Sequence, residues 1–149
     1  VLLILGAAMG FTNFLITEHV PDNAAAWIGT TIESKLLFLL VLNVFLIIVG
    51  CLMDIFAAIV VVVPLIAPMA DVFGIPPVQM GIIFLANLQL GYLTPPVGMN
   101  LFLASYRFDQ PLMYVVRASL PMLFVLLIGV LLITYVPAIT TWLPGLVQR

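Results

Sequence analysis

Residues 88–101 read LQLGYLTPPVGMNL, inside a stretch apolar enough for lipid. Gly91, Thr94, Pro95, Pro96, Gly98 and Asn100 crowd together there, with Asn87 just upstream. Proline removes a backbone donor and clashes with the preceding turn. It also pushes the residue before it out of the helical region. Thr94-Pro95-Pro96 must therefore unwind a helix locally, with Gly91 and Gly98 permitting unusual dihedrals. Unwound backbone is tolerated at membrane depth where it is buried in protein or lines a cavity. Freed carbonyls and the Thr94 hydroxyl are hard oxygen ligands suited to a small cation such as Na⁺. The half-helix resuming near Val97 offers free N–H groups and a positive dipole end to an anionic substrate. Asn87 and Asn100 bracket the break and supply further amide groups. A proline kink that serves shape alone is the competing reading.

A second candidate is Asp54, an acid set among apolar residues on both sides. A carboxylate at membrane depth is costly and is a functional candidate by default. Three roles stay open for it: electrostatic support of an ion site, N-cap of the helix that follows, or proton carrier. If Asp54 lies at a hairpin tip near mid-membrane, Gly50 and Asp54 face 94–100.

The elements that must hold these residues follow from composition. Hydrophobic residues make up 65% and charged residues 7% of 149, against about 25% charged in soluble domains. Uncharged runs cover 1–17, 36–53, 55–70, 72–106 and 118–148. Each is near or above the roughly 18 residues that suggest a membrane span. The expectation is an all-α polytopic membrane protein. The net charge of −2 comes with no basic patch, which excludes nucleic acid as a partner. One cysteine and one histidine exclude an internal disulfide and a Cys- or His-rich metal centre. A lone deep acid also argues against intramembrane aspartyl proteolysis, so no enzyme activity is expected. Val1 already lies inside an apolar run, with no initiator Met or charged leader. The chain therefore reads as the C-terminal part of a longer one.

Along the chain, 1–17 reads as a membrane helix with a small-residue stripe, Gly6 to Gly10, of the kind that lets helices pack closely. The wet segment 18–35 reads as an interfacial arm, with Pro21 and Asp22 as turn formers. Asp22 or Asn23 would cap a helix running to Ser34, with Trp27 at headgroup level. Residues 36–70 read as a re-entrant helical hairpin turning near Gly50–Asp54. Its legs of about 15–17 residues reach roughly 25 Å, short of the ~30 Å hydrocarbon core; two short spans are the alternative. Pro64 and Pro68 are expected to end the second leg. Residues 71–77 form an aqueous turn, 78–106 a broken (discontinuous) transmembrane helix, and 112–136 a last span. Trp142 anchors the tail. Glu18, Asp22, Glu33, Asp71 and Lys35 then share one membrane face, and Arg107, Asp109 and Arg117 the other. The positive-inside tendency puts the Arg link in the cytoplasm.

The ordered set Gly50, Met53, Asp54, Pro64, Pro68, Gly74, Ile75, Pro77, Gly81, Asn87, Gly91, Thr94, Pro95, Pro96, Gly98 and Leu101 resembles the DctM-like large membrane subunit of the tripartite ATP-independent periplasmic (TRAP) transporters. The pattern runs G-x-x-M-D, P-x-x-x-P, G-I-x-P-x-x-x-G, then N-x-x-x-G-x-x-T-P-P-x-G-x-x-L. The resemblance implies a secondary transporter of the inner membrane, driven by Na⁺ rather than ATP and needing no other cofactor. It implies an elevator mechanism with inverted repeats, this chain being the second. Residues 1–35 would be scaffold helix and arm, 36–107 the transport domain, and 108–149 the last scaffold helix and tail. It implies a small membrane subunit, a periplasmic binding protein and the N-terminal remainder of the same subunit as partners. It implies an organic acid substrate such as a C4-dicarboxylate or a sialic acid. Gly50, Thr94 and Gly98 would hold Na⁺. Proton coupling and a purely structural or assembly role remain the alternatives.

Overall fold

The structure is a computed structural model and describes residues 2–140. Its elements are α1 (Leu2–Thr17), α2 (Val20–Thr31), α3 (Lys35–Leu52), α4 (Ile55–Val72), α5 (Pro77–Gly91), α6 (Met99–Phe108) and α7 (Leu112–Tyr135). All are helices. Three of them, α3, α4 and α7, are long and apolar enough to cross a membrane, and α1 with α2 forms a fourth candidate bent by 59°. The all-α polytopic reading of the composition is borne out.

The arm differs in detail from the expectation. It begins at Val20, with His19 in the N-cap position at φ 53° and Pro21 in the first turn. A first-turn proline loses no helix bond, because those N–H groups have no partner inside the helix. Asp22 therefore sits inside the first turn and pairs with His19 Nδ1 at 3.3 Å on the exposed surface rather than capping. The helix stops at Thr31 instead of Ser34, where Thr30, Thr31 and Ile32 form a β-branched run of low helix propensity. Ile32 is extended and closes the end through its N–H to the Ile28 carbonyl.

α3 and α4 form the hairpin and turn at Met53–Asp54. Their open ends meet again at the base. Phe38 stacks on Phe73 with ring centroids 4.3 Å apart, and Lys35 Nζ donates to the Gly74 carbonyl at 3.3 Å. The end of the 18–35 link thus meets the 71–77 link, as a hairpin that returns the chain requires. Each leg has 18 residues, about 27 Å at 1.5 Å rise.

Pro64 and Pro68 do not end the second leg; both lie within α4, which runs on to Val72. A helix that stops in an apolar setting strands several backbone groups, whereas an internal proline strands one carbonyl. One of these is repaired from outside. Pro64 cannot bond the Val60 carbonyl, and the buried Thr12 hydroxyl of α1 lies 2.9 Å from it. Thr12 also lies 2.9 Å from its own Ala8 carbonyl, so its single proton is shared between the two. The Gly6–Gly10 stripe has no neighbour within 4 Å of an added Cβ.

The core gathers Leu42, Leu46, Ala58, Val62, Ile66, Ile83, Phe84 and Leu88 from α3, α4 and α5. α3 and α5 run parallel from base to tip. α6 continues beyond the tip, and α7 returns antiparallel to α5, bringing Thr134 back to Gln79 near the base. Most large side chains of α7, such as Met122, Phe124, Val125 and Ile128, remain outward. Pro121 lies within α7, whose observed end at Tyr135 matches the expected span. Trp142 lies outside the described residues.

Candidate functional site: a broken helix against a hairpin tip

α5 is helical as far as Gly91, and α6 begins at Met99 rather than near Val97. Pro95 and Pro96 lie in the gap, joined by a cis peptide bond. The Thr94 hydroxyl donates to the Leu90 carbonyl at 2.8 Å, capping α5 and keeping its oxygen lone pairs free. The Asn100 N–H donates back across the gap to the Tyr92 carbonyl at 3.3 Å. The carbonyls of Leu93, Pro96 and Val97 accept no backbone hydrogen bond among the described residues. Pro95, Pro96 and Val97 are exposed. Gly98 closes the gap at φ 37°, ψ 79°, a left-handed conformation that suits glycine.

The hairpin reaches this gap through glycine backbone. A Cβ on Gly91 would lie 2.7 Å from Cα and the carbonyl carbon of Gly50, and 2.8 Å from the Cys51 nitrogen. A Cβ on Gly50 would lie 2.9 Å from Cα and the carbonyl oxygen of Leu88. Glycine on both sides lets the end of α3 and the end of α5 touch main chain to main chain. Gly50, Gly91, Thr94 and Gly98 are thereby brought into one neighbourhood.

Asp54 lies at the exposed tip. Its Oδ2 accepts from the Phe56 N–H at 3.1 Å, so the carboxylate is the N-cap of α4. Tyr92, a residue not singled out from sequence, lies half-buried in the gap. Its hydroxyl is buried and makes no hydrogen bond among the described residues. The sequence signal was present: an aromatic with a polar end, between Gly91 and Thr94. Asn100 is half-buried at the start of α6. Asn87 is turned away from the gap. Its Nδ2 donates to Asn43 Oδ1 of α3 at 2.6 Å and to the Ile83 carbonyl at 2.8 Å, and it is wholly buried.

Among the described residues no three His, Cys, Asp or Glu gather into a metal-binding cluster. The oxygen donors at the gap are carbonyls and a hydroxyl, ligands that suit a hard monovalent cation. Asp54→Asn is expected to leave thermal stability within about 0.5 kcal/mol, because Asn caps about as well as Asp, while Asp54→Ala costs about 1 kcal/mol. Melting curves of the purified variants check this. A loss of uptake by the folded Asn variant would add an electrostatic role to the cap.

An all-α polytopic chain with a broken helix, carbonyls without backbone partners and a glycine contact to a hairpin has the features of the class of membrane transporters built on discontinuous helices. Within that class the chain belongs to the family described as tripartite ATP-independent periplasmic transporter, DctM component, whose model matches residues 1–139. It is 40% identical over 97% of its length to the C4-dicarboxylate TRAP transporter large permease protein DctM of Pseudomonas aeruginosa, covering 34% of that protein. It is 33% identical over 97% of its length to the sialic acid TRAP transporter large permease protein SiaM of Vibrio cholerae, covering 34% of it. A putative dicarboxylate transporter subunit of Paracoccus pantotrophus is 37% identical over 97% of the chain and 68% covered. The chain spans about a third of the length of the large permeases it matches. No solved structure matches it. The resemblance drawn from the ordered glycine, proline and Asp54 pattern is thus borne out at the level of the family.

Proposed function

We propose that this chain supplies the ion- and substrate-facing part of a permease that takes up an organic acid, a C4-dicarboxylate or a sialic acid, with Na⁺ as the coupling ion. The observation that carries the reading is the contact of Gly50 with Gly91 beside carbonyls left without partners. Backbone of that kind persists at membrane depth where it lines a cavity or binds an ion. Carbonyl oxygens near Gly50 and Gly98, with the Thr94 hydroxyl, are the proposed Na⁺ ligands. The N-terminus of α6 faces the substrate carboxylate. Relatives named for C4-dicarboxylate and for sialic acid support the substrate class. A small membrane subunit and a periplasmic binding protein complete the transporter, in the inner membrane, with the Arg107–Arg117 link in the cytoplasm. The hairpin and the broken helix move as one body in an elevator mechanism, with α1 and the arm α2 as frame. The family resemblance implies that α7 belongs to the frame as well; its bonds to Asn43 and Gln79 favour instead its travelling with the moving body.

The test is uptake into proteoliposomes by the full-length subunit with its small subunit and binding protein. Labelled dicarboxylate and labelled sialic acid are compared with and without an inward Na⁺ gradient. Uptake that needs both the gradient and the binding protein is the expected result. Uptake driven by a pH gradient alone would replace the ion. No uptake of either acid by folded complex would favour an assembly role. In the same assay Thr94→Ala is expected to raise the Na⁺ half-saturation concentration roughly tenfold, the equivalent of one contact of about 1.4 kcal/mol. Protein yield should stay near wild type. An unchanged Na⁺ titration would remove Thr94 from the ligand set.

A further inference from the structure

Four polar side chains meet where α3, α5 and α7 pack: Asn43, Gln79, Asn87 and Thr134, none more than 3% exposed. The Asn87 amide donates to the Ile83 carbonyl at 2.8 Å and to Asn43 Oδ1 at 2.6 Å. The Thr134 hydroxyl donates to the same Asn43 oxygen at 3.1 Å, and Gln79 Nε2 donates to the Thr134 carbonyl at 3.3 Å. The orientations support one another. The Ile83 carbonyl fixes which end of the Asn87 amide is the donor, and that donor fixes which end of Asn43 accepts. Three atoms are then left without a partner: Asn43 Nδ2, Asn87 Oδ1 and Gln79 Oε1. One is a donor and two are acceptors, all on side chains closed off from solvent.

The cluster sits below the site. On α3, Asn43 lies two turns before Gly50; on α5, Asn87 lies one turn before Gly91. The helices are parallel, so the Asn43–Asn87 bond and the Gly50–Gly91 contact are two points of one interface. A slip of one residue rotates a helix by about 100°. Gly50 would then be replaced at the contact by a residue carrying a side chain, and 2.9 Å leaves no room for it. The apolar surfaces around it resist such a slip weakly, because Leu and Ile repack at modest cost. Amides with named partners resist it, because a slipped amide finds no substitute donor where water is scarce. A single buried Asn sets register in helix pairs by this means.

We propose that Asn43, Asn87 and Thr134 are positioning residues: a buried amide lock that holds the hairpin in the one register at which Gly50 meets Gly91. The lock acts on the ion site through backbone and touches neither ion nor substrate. Its effect on Na⁺ binding rests on the transporter reading above; its effect on register does not.

Cys51 supplies a readout independent of transport. It follows Gly50 directly, is buried, and its nitrogen borders Gly91. The experiment uses the full-length complex with every other cysteine replaced, and N-ethylmaleimide as the probe. Thr134→Val keeps the shape and removes the hydroxyl; Thr134→Ser keeps the hydroxyl; Asn43→Leu removes the acceptor. T134V and N43L are both expected to raise the Cys51 labelling rate roughly tenfold, the scale of the stronger hydrogen bonds between membrane helices. T134S should label at the wild-type rate. In a Na⁺ titration of uptake, T134V should raise the half-saturation concentration while T134S does not. Wild-type labelling in both T134V and N43L would overturn the lock, as would T134S labelling as fast as T134V. Faster labelling of T134V and N43L in a transporter that proves not to use Na⁺ would uphold the lock and overturn the ion assignment alone. Should N43L fail to fold, the T134V and T134S pair decides.

Discussion

Gly91→Ala is expected to abolish uptake while the protein still inserts in the membrane. The added Cβ would lie 2.7 Å from two main-chain atoms of Gly50 and 2.8 Å from a third at Cys51. Main chain cannot rotate aside as a flexible side chain can, so the hairpin tip must back away from α5. Overpacking costs about 1–3 kcal/mol, enough to lower the population of the closed contact by roughly 5- to 150-fold. Gly50→Ala meets Leu88 at 2.9 Å and should behave alike. Gly81→Ala is the control. It lies on the same helix as Gly91 with nothing within 4 Å of its Cβ. Alanine there gains about 1 kcal/mol of helix propensity over glycine. Uptake and melting temperature are measured for all three. Wild-type uptake by Gly91→Ala would mean that hairpin and broken helix do not touch in the working transporter.

Gly98→Ala combines two penalties at the other end of the gap. The left-handed φ of 37° costs a non-glycine residue roughly 1–2 kcal/mol. The new Cβ would also lie 2.8 Å from the Thr94 carbonyl oxygen and 2.9 Å from Leu101 Cδ1. The turn that aims the Thr94 carbonyl and starts α6 must therefore reshape. Gly74→Ala separates the two costs, since its φ is 60° and its Cβ meets nothing. The expected result is a modest loss of stability without loss of uptake for Gly74→Ala, and loss of Na⁺-dependent uptake for Gly98→Ala. Equal effects would mean that dihedral strain alone matters at Gly98 and that the Thr94 carbonyl has no special role.

Neither contact distance could be read along the chain. Thr94-Pro95-Pro96 announces a break because proline acts on its own turn and the residue before it. Nothing in that stretch says which surface the break will face. The two helix-interior prolines of α4 point the same way. Taken alone, Pro64 and Pro68 read as a helix end. Continuation is favoured by the apolar setting, and part of the cost at Pro64 is offset by Thr12, which belongs to another helix. The start of the arm is ambiguous for a local reason: Pro21 is equally suited to a turn and to the first turn of a helix.

Asn87 shows the limit most clearly. Its closeness to Gly91 in sequence suggests a ligand at the break. At helical spacing that closeness fixes a shared face only loosely, and the amide turns instead to Asn43 and, through it, to Thr134. Those partners come from helices whose crossing no local rule specifies.

The membrane setting, the all-helical class, the position of the broken helix and the ordered motif that marks the family are all legible in the order of residues. Composition, proline sterics and glycine freedom act within a few residues and need no neighbour. Packing in three dimensions was needed to show that Gly50 meets Gly91, that Thr12 serves the carbonyl left by Pro64, and that Asn43, Asn87 and Thr134 share bonds. Each depends on the register and crossing of helices far apart in the chain, set by the packing of the whole core.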